Sequence, residues 1–347
     1  MSEIKKLVRE NILNLKPYSS ARDEYSGQAG IFLDANENSL GSTINENVNR
    51  YPDPYQRKVK DKISAIKGIP SENIFLGNGS DEVIDLLIRA FCYPGKDEII
   101  IMPPTYGMYS VSAEINNVGI KEVFLTSEYD MDVDKVLASV TDKTKLIFIC
   151  SPNNPTGNCL KNEDIKRVIN TFNGLVILDE AYIDFSEKKS FLKSLLTYPN
   201  LVIMQTFSKA WGLAGIRLGM AFADKFIIDI MNKIKPPYNV NELTQKKAIE
   251  ALNNLELKNR MVDILLKERE LLEKQLTKFD FVEKVYPTDS NFILVKTLNA
   301  NKIYDYLVNK SIIVRNRSNI SLCLNCLRIT VGTKEENKLL IEALENY

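Results

Sequence analysis

Histidine is missing altogether from the 347 residues. That absence excludes Ser-His-Asp and Cys-His catalysis and every histidine metal site. Acid–base work near neutral pH then falls to Lys, Tyr, Asp, Glu or Cys. Cysteine is sparse. Cys92, Cys150, Cys159, Cys323 and Cys326 make an odd, scattered set, which points to a reducing compartment and a cytoplasmic protein rather than a disulfide framework. Cys323 and Cys326 form a lone C-x-x-C. With no second pair and no histidine it lacks the ligands of a structural zinc site, so no metal is expected. Neither sign of charge is in excess, with 45 basic and 45 acidic residues. No basic block occurs either, which argues against nucleic acid or an anionic membrane as partner. No apolar run approaches the length of a membrane span. The opening Met1-Ser2-Glu3-Ile4-Lys5-Lys6 leads into no apolar core of a secretory signal.

What remains is the composition of a soluble globular enzyme, 44% hydrophobic and 26% charged. The length suits one large domain with a smaller one. Between residues 71 and 224 strands and helices alternate, with strand-like runs at 98–102, 123–125, 146–150, 175–178, 201–205 and 218–223. This pattern calls for an α/β fold, a mostly parallel sheet with helices on both faces. Ligands on such sheets gather at the carboxyl ends of the strands. Pro236-Pro237 breaks the chain before a helical stretch over 241–278. Strands at 281–285, 291–296, 312–317 and 326–331, with helices at 301–310 and 334–346, then describe a small α/β domain.

Four segments carry chemistry. Thr206-Phe207-Ser208-Lys209 follows the apolar run Leu201-Val202-Ile203-Met204, and Arg217 stands eight positions on. A lysine at the end of a buried strand is desolvated, which lowers its pKa and frees its amine. The hydroxyls and the arginine are what a phosphate needs nearby. Together they suggest a Schiff-base lysine beside pyridoxal phosphate; read alone, the segment is also a surface lysine after an edge strand. Asp179-Glu180-Ala181-Tyr182 closes the run Leu175-Val176-Ile177-Leu178. An aspartate there needs a cation, and a pyridinium nitrogen would supply one, with Tyr182 placed to donate to the ring oxygen. The plainer alternative is a capping aspartate. Ser151-Pro152-Asn153-Asn154-Pro155-Thr156-Gly157 follows the strand at 145–150. It is a rigid turn that either offers Asn154 to the same ring oxygen or merely joins strand to helix. Gly77-Asn78-Gly79-Ser80-Asp81-Glu82 opens into an amphipathic helix whose free N–H groups make an anion cup.

The ordered set of glycine cup, N-P-T-G, D-x-x-Y and S-K followed by arginine resembles the fold-type-I pyridoxal phosphate aminotransferases. Asn11 to Tyr18, Leu33 to Asn38, Asn49 to Asp53, Pro103 to Tyr109 and Cys326 to Thr333 narrow the likeness to the histidinol-phosphate aminotransferases. The resemblance implies transamination between L-histidinol phosphate and 2-oxoglutarate, giving imidazole acetol phosphate and L-glutamate, in histidine biosynthesis. It implies a large cofactor-binding domain over 32–272 with a mostly parallel, seven-stranded sheet, and a small domain of 1–31 and 273–347. Lys209, Asp179 and Tyr182 are then catalytic. Tyr106 stacks on the cofactor ring, Asn154 bonds the ring oxygen, and the Asn154–Pro155 bond is cis. Gly79, Ser80, Asp81, Thr206, Ser208 and Arg217 line the phosphate region, Asp81 through its backbone N–H. Tyr51 reaches the phosphate of a neighbouring subunit, so a homodimer is implied. Arg328, Arg315, Tyr18 and Asn36 take the substrate end. An aromatic or broad-range aminotransferase, and a threonine-phosphate decarboxylase, are the competing activities on this scaffold.

Overall fold

The computed structural model describes residues 3–18 and 30–347. Seven strands form the main sheet: β1 (Ile74–Asn78), β2 (Glu98–Ile101), β3 (Gly119–Glu122), β4 (Thr144–Cys150), β5 (Leu175–Asp179), β6 (Leu201–Thr206) and β7 (Leu218–Phe222). Their order is β1-β7-β6-β5-β4-β2-β3. β2 to β6 pair in parallel, and β7 alone runs against its neighbours. Every residue of β5 and β6 is buried, as expected of parallel strands covered on both faces. The two faces feed separate cores. Ile147, Ile149, Val176 and Ile203 join one, while Leu146, Phe148, Ile177 and Val202 join the other, so alternate residues serve opposite helix layers.

The second sheet is antiparallel, in the order β10-β11-β9-β8. It contains β8 (Val282–Val285), β9 (Phe292–Thr297), β10 (Arg315–Asn316) and β11 (Cys326–Thr330). Its core joins Ile293, Val295, Leu327 and Ile329 to Leu272 and Leu276 of the helix Leu255–Leu276 and Leu340 of the helix Lys334–Glu345. A capping box of Thr333 and Glu336 starts that last helix.

Several elements differ from the pattern-based expectation. β1 carries Gly77 among its few residues, which masks it as a strand. Residues 123–125 run on beside β2, with Val123 N–H donating to Ile101 and Leu125 N–H to Pro103, but the regular strand is the more polar Gly119–Glu122. The helical stretch after Pro236-Pro237 is two helices, Glu242–Leu252 and Leu255–Leu276, parted at Asn253-Asn254. The expected strand at 312–317 shrinks to Arg315–Asn316. At the N-terminus, Ile4 and Val8 pack into the large sheet's core beside Phe75 and Phe91. Residues 4–13 of the segment assigned to the small domain therefore pack against the large sheet's core. Residues 19–29 fall outside the described residues. The boundary proposed at 272/273 falls within the helix Leu255–Leu276, whose Val262 packs with Tyr182 and Phe185 while Leu272 joins the small sheet.

Candidate active site

Strand direction assembles the site. β4, β5 and β6 are adjacent and parallel, with Cys150 opposite Asp179 and Asp179 opposite Met204. The end of β5 holds Asp179, and the segments leaving β4 and β6 carry Asn154 and Lys209 to the same rim. β7 contributes through its first residues because it runs backwards. Gly219 lies opposite Thr206 on one side and Gly77 on the other, which sets Arg217 beside the turn Gly79–Ser80. The approach is tight: a Cβ on Gly219 would stand 2.4 Å from the Ser80 backbone nitrogen. Gly79, with φ 78°, caps the helix Ser80–Phe91, and Arg217 itself takes a left-handed φ of 54°.

A cavity of about 680 Å³ opens at this rim. Ser80, Asp81, Tyr106, Asn154, Asp179, Tyr182, Thr206, Ser208, Lys209, Arg217, Arg315 and Arg328 all line it. Gly79, Tyr18, Asn36 and Tyr51 do not. Tyr18 borders a different cavity beside Tyr55 and Lys60, Asn36 is exposed with φ 54°, and Tyr51 stacks on Tyr238 with ring centroids 4.5 Å apart. Three features at the cavity were not read from the sequence. Tyr109 is fully buried and donates its hydroxyl to Asp179 Oδ2 at 2.6 Å. Its signal was present: Tyr109 follows Tyr106 by three positions, entering the helix Met108–Ile115. Arg317 joins Arg315 and Arg328 in the lining, at the alternation expected of residues two apart on an extended chain. Asp81 offers more than a backbone N–H, for its carboxylate accepts from Tyr106 at 3.0 Å and pairs with Arg217 at 3.5 Å.

The electrostatics separate two ends. Asp179 is buried, and among the described residues its carboxylate meets the Tyr109 hydroxyl and the Ala181 N–H but no close cation. Burial pushes its pKa upward, against the two hydrogen bonds. Lys209 opens into the cavity with its Nζ 5.4 Å from the centroid of the Tyr182 ring. Its pKa is lowered by burial first and by Arg328 next. Arg328 lies over Phe292 and donates to Asn154 Oδ1 at 2.5 Å. That contact occupies the Asn154 oxygen, so its Nδ2 turns to the Tyr182 hydroxyl at 3.4 Å. The bond before Pro155 is cis, as are those before Pro104 and Pro152. The five cysteines are all buried and unpaired. Among the described residues no cluster fit to hold a metal ion is found and no helix is long and apolar enough to cross a membrane.

A buried carboxylate, a desolvated lysine and a hydroxyl-lined helix start facing one cavity agree with what the whole chain matches. Residues 24–344 match the family of class I and II aminotransferases. The chain belongs to that family. It is 58% identical over 341 residues to a histidinol-phosphate aminotransferase of Cytophaga hutchinsonii, covering 98% of each chain. To the enzyme of that name from Parabacteroides distasonis it is 54% identical, over 100% of this chain and 99% of the relative. Among solved structures, the histidinol-phosphate aminotransferase from Clostridium acetobutylicum superposes with a TM-score of 0.80 at 25% identity, covering 86% of this chain and 90% of that one. The Sinorhizobium meliloti enzyme, solved with pyridoxal 5'-phosphate, gives 0.79 at 22% identity over 86% and 84% and shows the shared fold.

An aminotransferase of this family uses pyridoxal phosphate, and the residues present fit that group. Asp179 is a buried anion open to the cavity and in want of a cation. Ser80, Thr206, Ser208 and Arg217 gather where the helix Ser80–Phe91 begins, and Gly219 has no Cβ to collide with the Gly79–Ser80 backbone there. Helix start, hydroxyls and guanidinium are together a phosphate site.

Proposed function

We propose that this aminotransferase exchanges the amino group of L-histidinol phosphate with 2-oxoglutarate, yielding imidazole acetol phosphate and L-glutamate. The observation that carries this reading is the basic end of the cavity. Arg315, Arg317 and Arg328 all face it, and none forms an ion pair with a carboxylate among the described residues. A phosphate monoester is close to dianionic near neutral pH, so it answers such a cluster better than a carboxylate does. The curated relatives named above, at 58% and 54% identity, support the same substrate.

When bound, pyridoxal phosphate supplies an electron sink that makes the hydrogen on the substrate's amine-bearing carbon acidic. The chain's own groups do the rest. Asp179 would hold a proton on the ring nitrogen, its charge kept in place by Tyr109 and the Ala181 N–H. Tyr182 and Asn154 would bond the ring oxygen, Asn154 being oriented by Arg328. Tyr106, anchored by Asp81, would cover one ring face. Lys209, whose charged form is disfavoured by burial and by Arg328, is suited to take the proton from the substrate carbon and return it one position away. Arg328 would grip the carboxylate of glutamate as a planar fork, and the phosphate of the alcohol in the other half-reaction.

The homodimer belongs to this proposal. Ile31, Leu33, Leu40 and Ile44 are exposed apolar side chains on the segment leading to Tyr51, itself half exposed. A second copy of the chain would cover them and bring Tyr51 to its phosphate site. The test is incubation of holoenzyme with histidinol phosphate and 2-oxoglutarate while glutamate and carbon dioxide are followed. Glutamate formed one for one with substrate lost supports the reading. Carbon dioxide without need of 2-oxoglutarate would assign a decarboxylase instead.

A further inference from the structure

We propose that Arg317 is a third anion-binding side chain of the substrate pocket, the one that sets the preference for a phosphate over a carboxylate. The inference rests on the substrate reading above and adds a residue and a division of labour to it. Arg315 and Arg328 are cross-strand partners on β10 and β11. Directly opposed like charges destabilise a sheet. Arg317 adds a third cation to the same side, held by its backbone N–H to Cys326 O at 2.9 Å. Such a cluster is costly without a counter-ion, and none of the three has a carboxylate partner among the described residues.

The three arginines are not equivalent. Arg328 is committed, with one guanidinium nitrogen on Asn154 and its plane over Phe292. Arg315 is largely exposed on a two-residue strand. Arg317 lies between them in burial. Its Nε, like that of Arg328, is buried with no hydrogen-bond acceptor, and its pKa is lowered to about 10 by burial, then by Arg328 and Arg315. An acceptor arriving in the cavity would satisfy a donor that the protein leaves unmet. A carboxylate gripped by Arg328 has its charge matched by one bidentate fork. A phosphate dianion has charge and oxygens to spare, and Arg317 is the neighbouring cation with an open donor.

The experiment uses holoenzyme of the unmutated chain, Arg317→Gln and Arg317→Lys. Single-turnover rates are measured with histidinol phosphate and with glutamate, and inorganic phosphate is titrated as an inhibitor of the glutamate half-reaction. Arg317→Gln should lose at least about 30-fold in kcat/KM for histidinol phosphate, and a clearly smaller factor for glutamate. Inhibition by inorganic phosphate should weaken in parallel, and Arg317→Lys should recover only part of both losses because it keeps charge without the fork. Arg317→Gln should also melt no lower than the unmutated holoenzyme in phosphate-free buffer, since a repelled, partly buried charge has been removed. Equal losses for the two substrates, unchanged phosphate inhibition, or a lowered melting temperature would each overturn the assignment and leave Arg317 a structural residue. If the unmutated enzyme does not turn over histidinol phosphate, the functional reading fails; the inorganic phosphate titration then still decides whether Arg317 binds an anion.

Discussion

Asp179 shows how a single side chain depends on what the cavity receives. Its carboxylate is buried, and burial is the largest influence on its pKa, acting upward. The hydroxyl of Tyr109 and the N–H of Ala181 offset part of that cost, but hydrogen bonds to neutral donors do not replace a counter-charge. A ring nitrogen that takes up a proton beside it closes the account. Asp179→Asn keeps the shape and removes the charge, so turnover should fall by about two orders of magnitude or more while the cofactor still binds. Absorbance titration of the cofactor together with half-reaction rates would check this. Near-normal turnover in Asp179→Asn would return the residue to a capping role. The sequence announced Asp179, Asn154 and Lys209 because each stands at the end of an apolar run. It marked Tyr109 only as an aromatic three positions after Tyr106, because the contact that gives it importance is made 70 positions away.

At the scale of elements, the rim was legible and the small sheet much less so. β4, β5 and β6 are continuous apolar runs, and their ends fix the site. β10 has two residues, and what brings Arg315 and Arg317 into the cavity is pairing with β11 and the hydrogen bond to Cys326. Neither leaves a mark in local composition. The helix Arg57–Lys67 holds another feature that composition hides. Lys60 is buried, and its pKa is lowered to about 8, by burial first and by Lys235 next, with Arg57 adding to the effect and Asp53 and Asp229 opposing it. Below that pH both folded and unfolded chains carry the charge, and the full penalty is felt. As pH rises from about 8 toward the ordinary lysine value of about 10.4, the folded chain sheds the proton while the unfolded one keeps it, so this group's penalty is relieved. Lys60→Met should therefore be more stable than the unmutated chain near neutral pH, by at most on the order of 3 kcal/mol, and the difference should shrink at about pH 10. Thermal unfolding of both chains at the two pH values checks it. A less stable Lys60→Met at neutral pH would mean that Lys60 is held by a favourable contact instead.

For the whole molecule, the question is where one site ends and the next begins. Tyr51 lies outside the cavity of its own chain, stacked on Tyr238 in a segment with exposed apolar side chains. If it serves a neighbour, Lys209→Ala and Tyr51→Ala subunits, each impaired alone, should regain activity when mixed and allowed to exchange. One site of each mixed dimer then has both residues intact. No gain under demonstrated exchange would place Tyr51 in its own chain's service or none. Charge organises the molecule along the other axis of the site. Arg217 and the helix start Ser80–Phe91 line the same cavity as Arg315, Arg317, Arg328 and Lys209. A cavity lined by four arginines suits ligands that carry more than one anionic group. The most direct test is the ratio of kcat/KM for histidinol phosphate to that for unphosphorylated histidinol in the unmutated holoenzyme. A pocket whose buried donors are met only by the phosphate should favour the phosphate ester by about 10³-fold or more. A ratio within about tenfold, no larger than ordinary pocket contacts give, would contradict the account and make the basic end of the cavity a general carboxylate site.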